Sequence, residues 1–94
     1  MRILSLPLLE DFKRSHADVR GALDAWRDEV TRGAWQTSQD IKLRYPSADF
    51  LADNRVIFNI KGNSYRLVVQ VRYRGGIVVI EWVGTHAEYS KKKF

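Results

Sequence analysis

Four side chains in the second half of the sequence carry groups that could act on a phosphate ester. Arg66 bears a guanidinium, which stays charged and can hold two phosphate oxygens, and Lys61 would add a second positive charge. His86 offers an imidazole, and the ordinary pKa of that group, about 6.5, suits proton transfer near neutral pH. A tyrosine such as Tyr89 transfers a proton only if cations lower its pKa from about 10, whereas its ring readily stacks on a base. These four residues are the candidate catalytic set.

The composition excludes several other kinds of site. The 94 residues contain no cysteine, which rules out a disulfide scaffold, thiol catalysis and zinc sites built from thiolates. Two histidines are too few for a histidine-rich metal site, so we expect no metal and no other cofactor. The longest aliphatic run, residues 77–80, is far shorter than the roughly 20 residues of a membrane span. The apolar N-terminus lacks a small-residue cleavage site, so we expect a cytoplasmic protein with no membrane partner.

Positive charge is concentrated in the C-terminal part of the chain. Residues 1–54 hold eight Lys or Arg and nine Asp or Glu, whereas residues 55–94 hold eight and two. This segregation is typical of a surface that binds a polyanion. It favours a nucleic-acid partner over a basic charge that serves solubility alone.

The pattern of the first half is typical of helices. An apolar stripe recurs at helical spacing, made of Val19, Leu23, Trp26 and Val30. Ser15 and Asp18 resemble a capping box that would open this helix, and Gly33 would end it. Thr37 and Asp40 predict a further short helix.

The second half predicts three β-strands that follow one another as an antiparallel meander. These segments are rich in Val, Ile, Tyr and Phe and cover residues 55–60, 65–74 and 77–83. A short strand at residues 2–4 could join them. Helices would pack on one face of this small sheet, so the expected fold is a single α+β domain spanning residues 1–94.

Two glycine-containing turns set the predicted register of the meander. The first turn places Ile60 opposite Tyr65, and the second places Arg74 opposite Ile77. Because side chains alternate between the two faces of a sheet, one face becomes an apolar plate that includes Trp82. The helices would cover that plate.

The opposite face mixes arginines with apolar side chains. In the predicted register Arg66 has no acidic residue opposite it, which favours a phosphate-binding role. Arg55, Gln70 and Glu81 would form one cross-strand row, and an ordinary ladder pair of Arg55 with Glu81 is an equally good interpretation of Arg55. His86 would fall opposite Tyr65 on the apolar face unless the strand bulges, so a structural role for His86 stands beside the catalytic one.

Several strings of residues resemble the HigB toxin family of type II toxin–antitoxin systems. Residues 54–69 contain Asn-Ile-Lys-Gly-Asn-x-Tyr-Arg-Leu-Val, and residues 84–89 read Gly-Thr-His-Ala-Glu-Tyr. Trp35, followed by Asp-Ile-Lys and Tyr-Pro, adds to the likeness. The resemblance implies a RelE-like fold of helices packed on a small antiparallel sheet. It also implies an mRNA interferase that cleaves translated mRNA on the ribosome and is neutralised by a HigA-like antitoxin with a helix-turn-helix domain.

An mRNA interferase of this kind would use the 2′-hydroxyl of its substrate as the nucleophile and would need no metal. Cleavage then requires a base for the hydroxyl proton, a cation for the crowded phosphate and an acid for the leaving 5′-oxygen. Arg66 would stabilise the phosphate, with Lys61 beside it, and the proton would move through His86 or Tyr89. The further residues expected to bind RNA are Arg55, Asn59, Arg72, Lys91, Lys92 and Lys93.

Other functions stay open at this point. The uneven charge alone would also suit a non-catalytic RNA-binding module, or a protein whose basic surface meets an acidic partner. A degenerate toxin could keep the fold and bind only its antitoxin. We expect the toxin alone to be a monomer and to form a hetero-oligomer with the antitoxin.

Overall fold

The structure is a computed structural model that describes residues 1–92, so Lys93 of the expected RNA-binding set lies outside the described residues. Its elements in chain order are β1 (Arg2–Leu4), α1 (Leu6–Ser15), a 3-10 turn (Ala17–Val19), α2 (Arg20–Arg32), α3 (Ser38–Arg44), β2 (Asp49–Leu51), β3 (Arg55–Ile60), β4 (Tyr65–Arg72), β5 (Ile77–Thr85) and α4 (His86–Ser90). Among the helices of residues 1–92, none is long and apolar enough to cross a membrane.

The strands form one five-stranded sheet in the order β1-β5-β4-β3-β2. Strands β3, β4 and β5 are the predicted antiparallel meander, and the expected N-terminal strand β1 lies parallel to β5 at one edge. Helices and sheet together confirm the α+β class. The sequence pattern does not predict β2, because three residues are too few for an alternation of apolar and polar side chains to stand out.

The hydrophobic core lies between the helices and one face of the sheet. The predicted stripe is fully buried, at Val19, Leu23, Trp26 and Val30. Phe58 of β3 is 1% exposed, and its ring lies 5.5 Å from Trp26, 5.9 Å from Trp35 and 5.1 Å from Tyr45 between centroids. Phe58 is therefore the centre of an aromatic cluster that joins β3 to α2 and α3.

One of the two predicted capping boxes forms. At the start of α3 the carboxylate of Asp40 accepts a hydrogen bond of 3.2 Å from the backbone N–H of Thr37. The prediction for Ser15 and Asp18 is wrong, since Ser15 is the last residue of α1 and a 3-10 turn precedes α2. The Asp18 carboxylate instead accepts hydrogen bonds of 2.8 and 2.9 Å from the hydroxyl of Tyr65 on β4. Asp18 therefore binds Tyr65, which is distant in sequence, instead of capping a helix together with Ser15.

The register predicted for the first hairpin is confirmed. Ile60 pairs with Tyr65, and the pairs farther along β3 and β4 follow from it. The loop between the strands holds Lys61 and Gly62 in the left-handed region, at φ values of 54° and 66°. Lys61 therefore leaves the alternation of the strand that precedes it.

The register predicted for the second hairpin is wrong. Ile77 pairs with Arg72 rather than with Arg74, because the connection takes four residues instead of two. Gly76 supplies the left-handed conformation of this turn, at φ 64°, and its N–H donates to the carbonyl oxygen of Tyr73. A shift of two residues keeps the same side chains on each face, so the start of β5 still packs as expected.

A β-bulge in β5 reverses the faces farther along the strand. Val69 pairs with Ile80, but the preceding residue, Val68, pairs with Trp82, so Glu81 is an inserted residue. Beyond the insertion Trp82 points away from the helices. The prediction that Trp82 lies in the core is therefore wrong, and the reason is one extra residue in the strand.

Candidate active site on the uncovered face of the sheet

We call the face of the sheet opposite α1, α2 and α3 the open face, and the short helix α4 lies at its edge. Arg66 projects from it, because its neighbours Tyr65 and Leu67 are buried against the helices and strand residues alternate. Its cross-strand neighbours are Asn59 on β3 and Gly84 on β5, and neither is acidic. The guanidinium is therefore carried on a surface where a phosphate can approach it.

Apolar residues form the floor of the open face beside Arg66. Ile57 and Val68 are 2% and 0% exposed although they point away from the core under the helices. They stand in one cross-strand row with Trp82. A low-dielectric floor of this kind strengthens the interaction of a neighbouring cation with an anion.

Arg66, Tyr89, Trp82 and Lys92 form what we call the Arg66 cluster. The guanidinium carbon of Arg66 lies 4.6 Å from the centre of the Tyr89 ring. The Tyr89 ring is 5.9 Å from the ring of Trp82, and the ammonium of Lys92 is 5.9 Å from that second ring. Cations over aromatic faces are attracted to the ring electrons, and the cluster has one cation at each end of a pair of rings. Such an arrangement offers both phosphate-binding groups and stacking surfaces.

Helix α4 holds Tyr89 over Arg66, and a capping box defines its start. The backbone N–H of Thr85 donates to the Glu88 carboxylate at 2.8 Å, and the Glu88 N–H donates to the Thr85 hydroxyl at 3.1 Å. The hydrogen bond from the Thr85 backbone N–H above all, and then one with the Thr85 side chain, hold the pKa of the Glu88 carboxyl below its ordinary value. Glu88 therefore has a structural role, because it fixes the start of α4.

Gly84 leaves the space that the Trp82 ring occupies. A Cβ atom at this position would lie 2.5 Å from the ring of Trp82 and 3.1 Å from the Glu88 carboxylate. Real Cβ atoms essentially never come within 3.0 Å of another heavy atom, so any larger residue displaces the Trp82 ring. The Arg66 cluster depends on a glycine at this position of β5.

Replacing Gly84 with alanine is expected to move Trp82 and to lower the free energy of unfolding by about 1–3 kcal/mol. Urea denaturation followed by tryptophan fluorescence measures both effects. The matched control is Gly21→Ala on α2, where an added Cβ meets nothing within 4 Å and improves helix propensity. Equal stability of the two variants would contradict the steric account.

His86 is the first residue of α4 and is exposed. Thr85, not His86, lies opposite Tyr65, so the expectation that His86 falls on the apolar face is wrong. Its backbone N–H donates to the carbonyl oxygen of Ser64 at 3.1 Å, which ties α4 to the β3–β4 loop. His86 and Tyr89 are one helical turn apart, and residues at this spacing are neighbours on a helix surface.

Lys61 does not join the Arg66 cluster. Its ammonium lies 3.2 Å from the carboxylate of Asp18, the residue that also binds the Tyr65 hydroxyl. The left-handed backbone at Lys61 turns its side chain toward the helices instead of the open face. The Tyr65 hydroxyl first, and then Lys61, hold the pKa of Asp18 below its ordinary value of 3.8.

We expect the contribution of Asp18 to stability to depend on pH in one direction. Because the folded-state pKa lies below the unfolded one, the contribution is complete above the unfolded pKa and is lost as the pH falls through the folded pKa. At neutral pH the wild type should therefore have a higher urea midpoint than Asp18→Asn. This gap should close as the pH falls through the folded-state pKa of Asp18.

Asp28→Asn changes another exposed carboxylate of the helices and serves as the control for Asp18→Asn. Its urea midpoint should follow that of the wild type at every pH. A midpoint gap for Asp18→Asn that stayed constant down to the acid end would exclude the carboxylate as its source.

The other expected RNA-binding residues line the open face or α4. Arg55 donates to the carbonyl oxygen of Ala52 at 3.3 Å and stands opposite Gln70 as predicted. Gln70 pairs with Val79 instead of Glu81, so the predicted Arg55–Glu81 pair is wrong. Its cause is again the shifted register of β5. Arg72, at the end of β4, is exposed, and Lys91 follows α4.

Trp82 is the member of the cluster that the sequence interpretation misses. It reads as a core residue because strict alternation carries it to the apolar plate, and no local signal marks the insertion at Glu81. Within residues 1–92 no three His, Cys, Asp or Glu side chains lie close enough together to hold a metal ion.

The chain is similar to known proteins over most of its length. A family model described as HigB_toxin, RelE-like toxic component of a toxin–antitoxin system, matches residues 19–92. The chain is 26% identical over 91 residues to the mRNA interferase toxin HigB of Escherichia coli K12, covering 95% of this chain and 88% of that protein. The mRNA interferase HigB of Shigella flexneri has the same identity and coverage. With most of its length matched, the chain belongs to the HigB toxin family of RelE-like toxin–antitoxin components.

Proposed function

We propose that this toxin is an endoribonuclease that cleaves translated mRNA on the ribosome without a metal ion. The observation that carries the proposal is the guanidinium of Arg66, which projects from the open face and stacks on Tyr89. The names of the relatives, mRNA interferases, support the substrate. The basic residues gathered after position 54 support binding to RNA.

The proposed reaction transfers the phosphate within the substrate. The 2′-oxygen attacks the adjacent phosphorus, the bond to the 5′-oxygen breaks, and a 2′,3′-cyclic phosphate and a 5′-hydroxyl end remain. Arg66 stabilises the negative charge that builds on the phosphate oxygens. His86 or Tyr89 takes the proton of the 2′-hydroxyl, and a proton is returned to the leaving oxygen.

RNA binding would use the rest of the open face. The rings of Trp82 and Tyr89 give bases a surface to stack on, and stacking tolerates any base. Arg55, Asn59 and Arg72 line the same face of the sheet, and a strand of RNA lying across it would place phosphates beside the two arginines. Lys91 and Lys92 extend this basic surface beyond α4.

In this proposal the ribosome positions the mRNA and so compensates for the few acid–base groups of the site. The catalytic set has one imidazole, at the exposed residue His86, and has no second histidine or carboxylate paired with it. Such modest acid–base machinery suits a reaction in which another body holds the substrate in line for attack, because positioning alone removes a large part of a barrier.

An antitoxin would hold this activity in check. Membership of a toxin–antitoxin family implies such a partner. We propose that it is a HigA-like protein with a helix-turn-helix domain, that the toxin alone is a monomer, and that the two form a hetero-oligomer. Co-purification with the product of an adjacent small gene is the measurement for this proposal.

The experiment for the nuclease expresses the wild type from a tightly controlled promoter and maps mRNA ends. We expect downstream fragments that begin with a 5′-hydroxyl within reading frames, and upstream fragments that end in a 2′,3′-cyclic phosphate. The matched control is the same transcript without its start codon, which ribosomes do not translate, and it should stay intact.

The possible outcomes separate the proposal from its alternatives. Growth arrest without new mRNA ends would contradict a nuclease, and salt-dependent RNA binding without cleavage would favour an RNA-binding module. Equal cleavage of the untranslated transcript would contradict dependence on the ribosome. Ends with 3′-hydroxyl groups would contradict attack by the 2′-hydroxyl.

A further inference from the structure

Two buried polar atoms on the open face lack hydrogen-bond partners and complement each other. They are the Nε of Arg66, a donor, and the Oδ1 of Asn59, an acceptor, and neither has a partner among the described residues. Arg66 and Asn59 are directly opposite on β4 and β3, so their side chains start about 5 Å apart. Leaving such atoms buried and unpaired costs free energy, which a bond between them would recover.

The hydrogen bond made by the amide nitrogen of Asn59 sets the orientation of its amide group. Its Nδ2 donates to the carbonyl oxygen of Ser47 at 3.1 Å, and a carbonyl accepts but does not donate. The amide nitrogen is therefore committed to the segment before β2. The oxygen is left as the acceptor available to β4.

A comparable arrangement exists two rows away on the open face, between Gln70 and Arg72 of β4. Gln70 donates through Nε2 to the carbonyl oxygen of Asp53 at 3.2 Å and accepts through Oε1 from the Nε of Arg72 at 3.4 Å. In both places a carboxamide is anchored to a backbone carbonyl beside an arginine. Of the two pairs, Gln70 and Arg72 are hydrogen-bonded and Asn59 and Arg66 are not. Of the two arginines, Arg66 is the one that lies over an aromatic ring.

We infer that Asn59 is a positioning residue for Arg66: its Oδ1 accepts the Nε–H of Arg66 when the guanidinium leaves the Tyr89 ring to meet a phosphate. The free protein keeps Arg66 on the ring, with Nε unpaired. An RNA base that stacks on Tyr89 takes the place of the guanidinium. Arg66 then pairs with Asn59 through Nε and turns its two terminal nitrogens to the phosphate oxygens.

The expected effect of Asn59 on cleavage rests on the proposed nuclease function, whereas the hydrogen bond between Asn59 and Arg66 does not. A hydrogen bond at Nε fixes the plane of the guanidinium and so directs the other nitrogens. Asn59 then affects the rate of cleavage through Arg66, without needing to touch the RNA.

The kinetic test compares Asn59→Leu, which keeps the volume of the side chain and removes the acceptor, with Asn59→Gln. Cleavage of mRNA on programmed ribosomes is followed over a range of toxin concentrations. For Asn59→Leu we expect a maximal rate lower by roughly 10- to 100-fold with an unchanged half-saturating concentration. Asn59→Gln, which keeps the amide, should recover part of the rate. An unchanged maximal rate, or a loss confined to half-saturation, would overturn the inference.

A second measurement needs neither RNA nor activity. In the Asn59→Asp variant the acceptor is charged, so the Arg66 guanidinium should leave the Tyr89 ring even in the free protein. In ¹⁵N-resolved NMR the Arg66 side-chain protons should lose the ring-current shift that Tyr89 imposes, and Nε–H should exchange more slowly with water. The control Gln70→Ala should leave these Arg66 resonances unchanged. Identical Arg66 resonances in Asn59→Asp and the wild type would overturn the inference.

The two measurements keep this inference separate from the proposed function. If the wild type does not cleave translated mRNA, the nuclease proposal fails, and the resonances of Arg66 still decide whether Asn59 can hold it. If cleavage occurs and the Arg66 resonances do not respond to Asn59→Asp, the nuclease stands and the positioning role falls.

Discussion

Arg66→Ala is expected to lower the rate of mRNA cleavage on programmed ribosomes by about 10²–10³-fold, the usual effect of removing a group that stabilises transition-state charge. The guanidinium is the only catalytic candidate that is both permanently charged and carried on the open face, since Lys61 is paired with Asp18. Arg66→Lys should recover little of the rate, because an ammonium cannot hold two phosphate oxygens in one plane. Expression of Arg66→Ala should accordingly no longer arrest growth.

The control for this variant is Arg74→Ala, an exposed arginine in the β4–β5 turn. It removes the same charge from the same half of the chain, so it should cleave at close to the wild-type rate. Circular dichroism and urea midpoints should show that Arg66→Ala remains folded, because the residue lies outside the core under the helices. Cleavage by Arg66→Ala at the wild-type rate and at the same sites would remove Arg66 from the mechanism.

Phe58→Ala is expected to lower the free energy of unfolding by about 3–5 kcal/mol, the usual cost of truncating a buried aromatic residue. Phe58 is 1% exposed, and its ring contacts Trp26, Trp35 and Tyr45, so the cavity would open where β3, α2 and α3 meet. Small domains have only about 5–15 kcal/mol in total, so the variant should be close to unfolded at body temperature.

Urea denaturation of two matched variants isolates the cause. Phe58→Leu keeps most of the volume and should lose much less stability than Phe58→Ala. Phe50→Ala truncates the same side chain on edge strand β2, where it is 39% exposed, and should be close to neutral. Equal losses for Phe58→Ala and Phe50→Ala would show that the aromatic cluster is not the centre of the core.

Local patterns were sufficient for much of the fold. The spacing of Leu23, Trp26 and Val30 predicts the buried side of α2, because one stripe of a helix must face the core. The pairing of Ile60 with Tyr65 follows from a turn a few residues away. These features depend on neighbours in the sequence, and sequence patterns report such neighbours well.

The bulge and the shifted second turn depend on contacts that no local pattern carries. Whether a strand accepts an inserted residue such as Glu81 depends on what the strand segments before and after it pack against. Trp82 therefore changes face for reasons that lie on other strands and on α4. The short strand β2 likewise forms only because β3 offers it an edge.

In the candidate site too, the sequence predicts the features set by neighbouring residues and misses those set by distant contacts. The direction of Arg66 follows from the two-residue period of β4, and the structure places it with Tyr89. The position of Lys61 does not follow, because a left-handed residue in a loop leaves that period. Its pairing with Asp18 joins residues 43 positions apart.

Because Glu81 is an inserted residue, the even-numbered residues of β5 point to opposite faces of the sheet before and after it. Before Glu81, even-numbered residues such as Val78 and Ile80 fill the interior, and after it the even-numbered Trp82 and Gly84 lie on the open face. An alignment of relatives that slid this strand by one position would exchange interior for surface residues from there to α4. The length of the strand at this point, more than the identity of the inserted residue, is thus what a functioning relative must preserve.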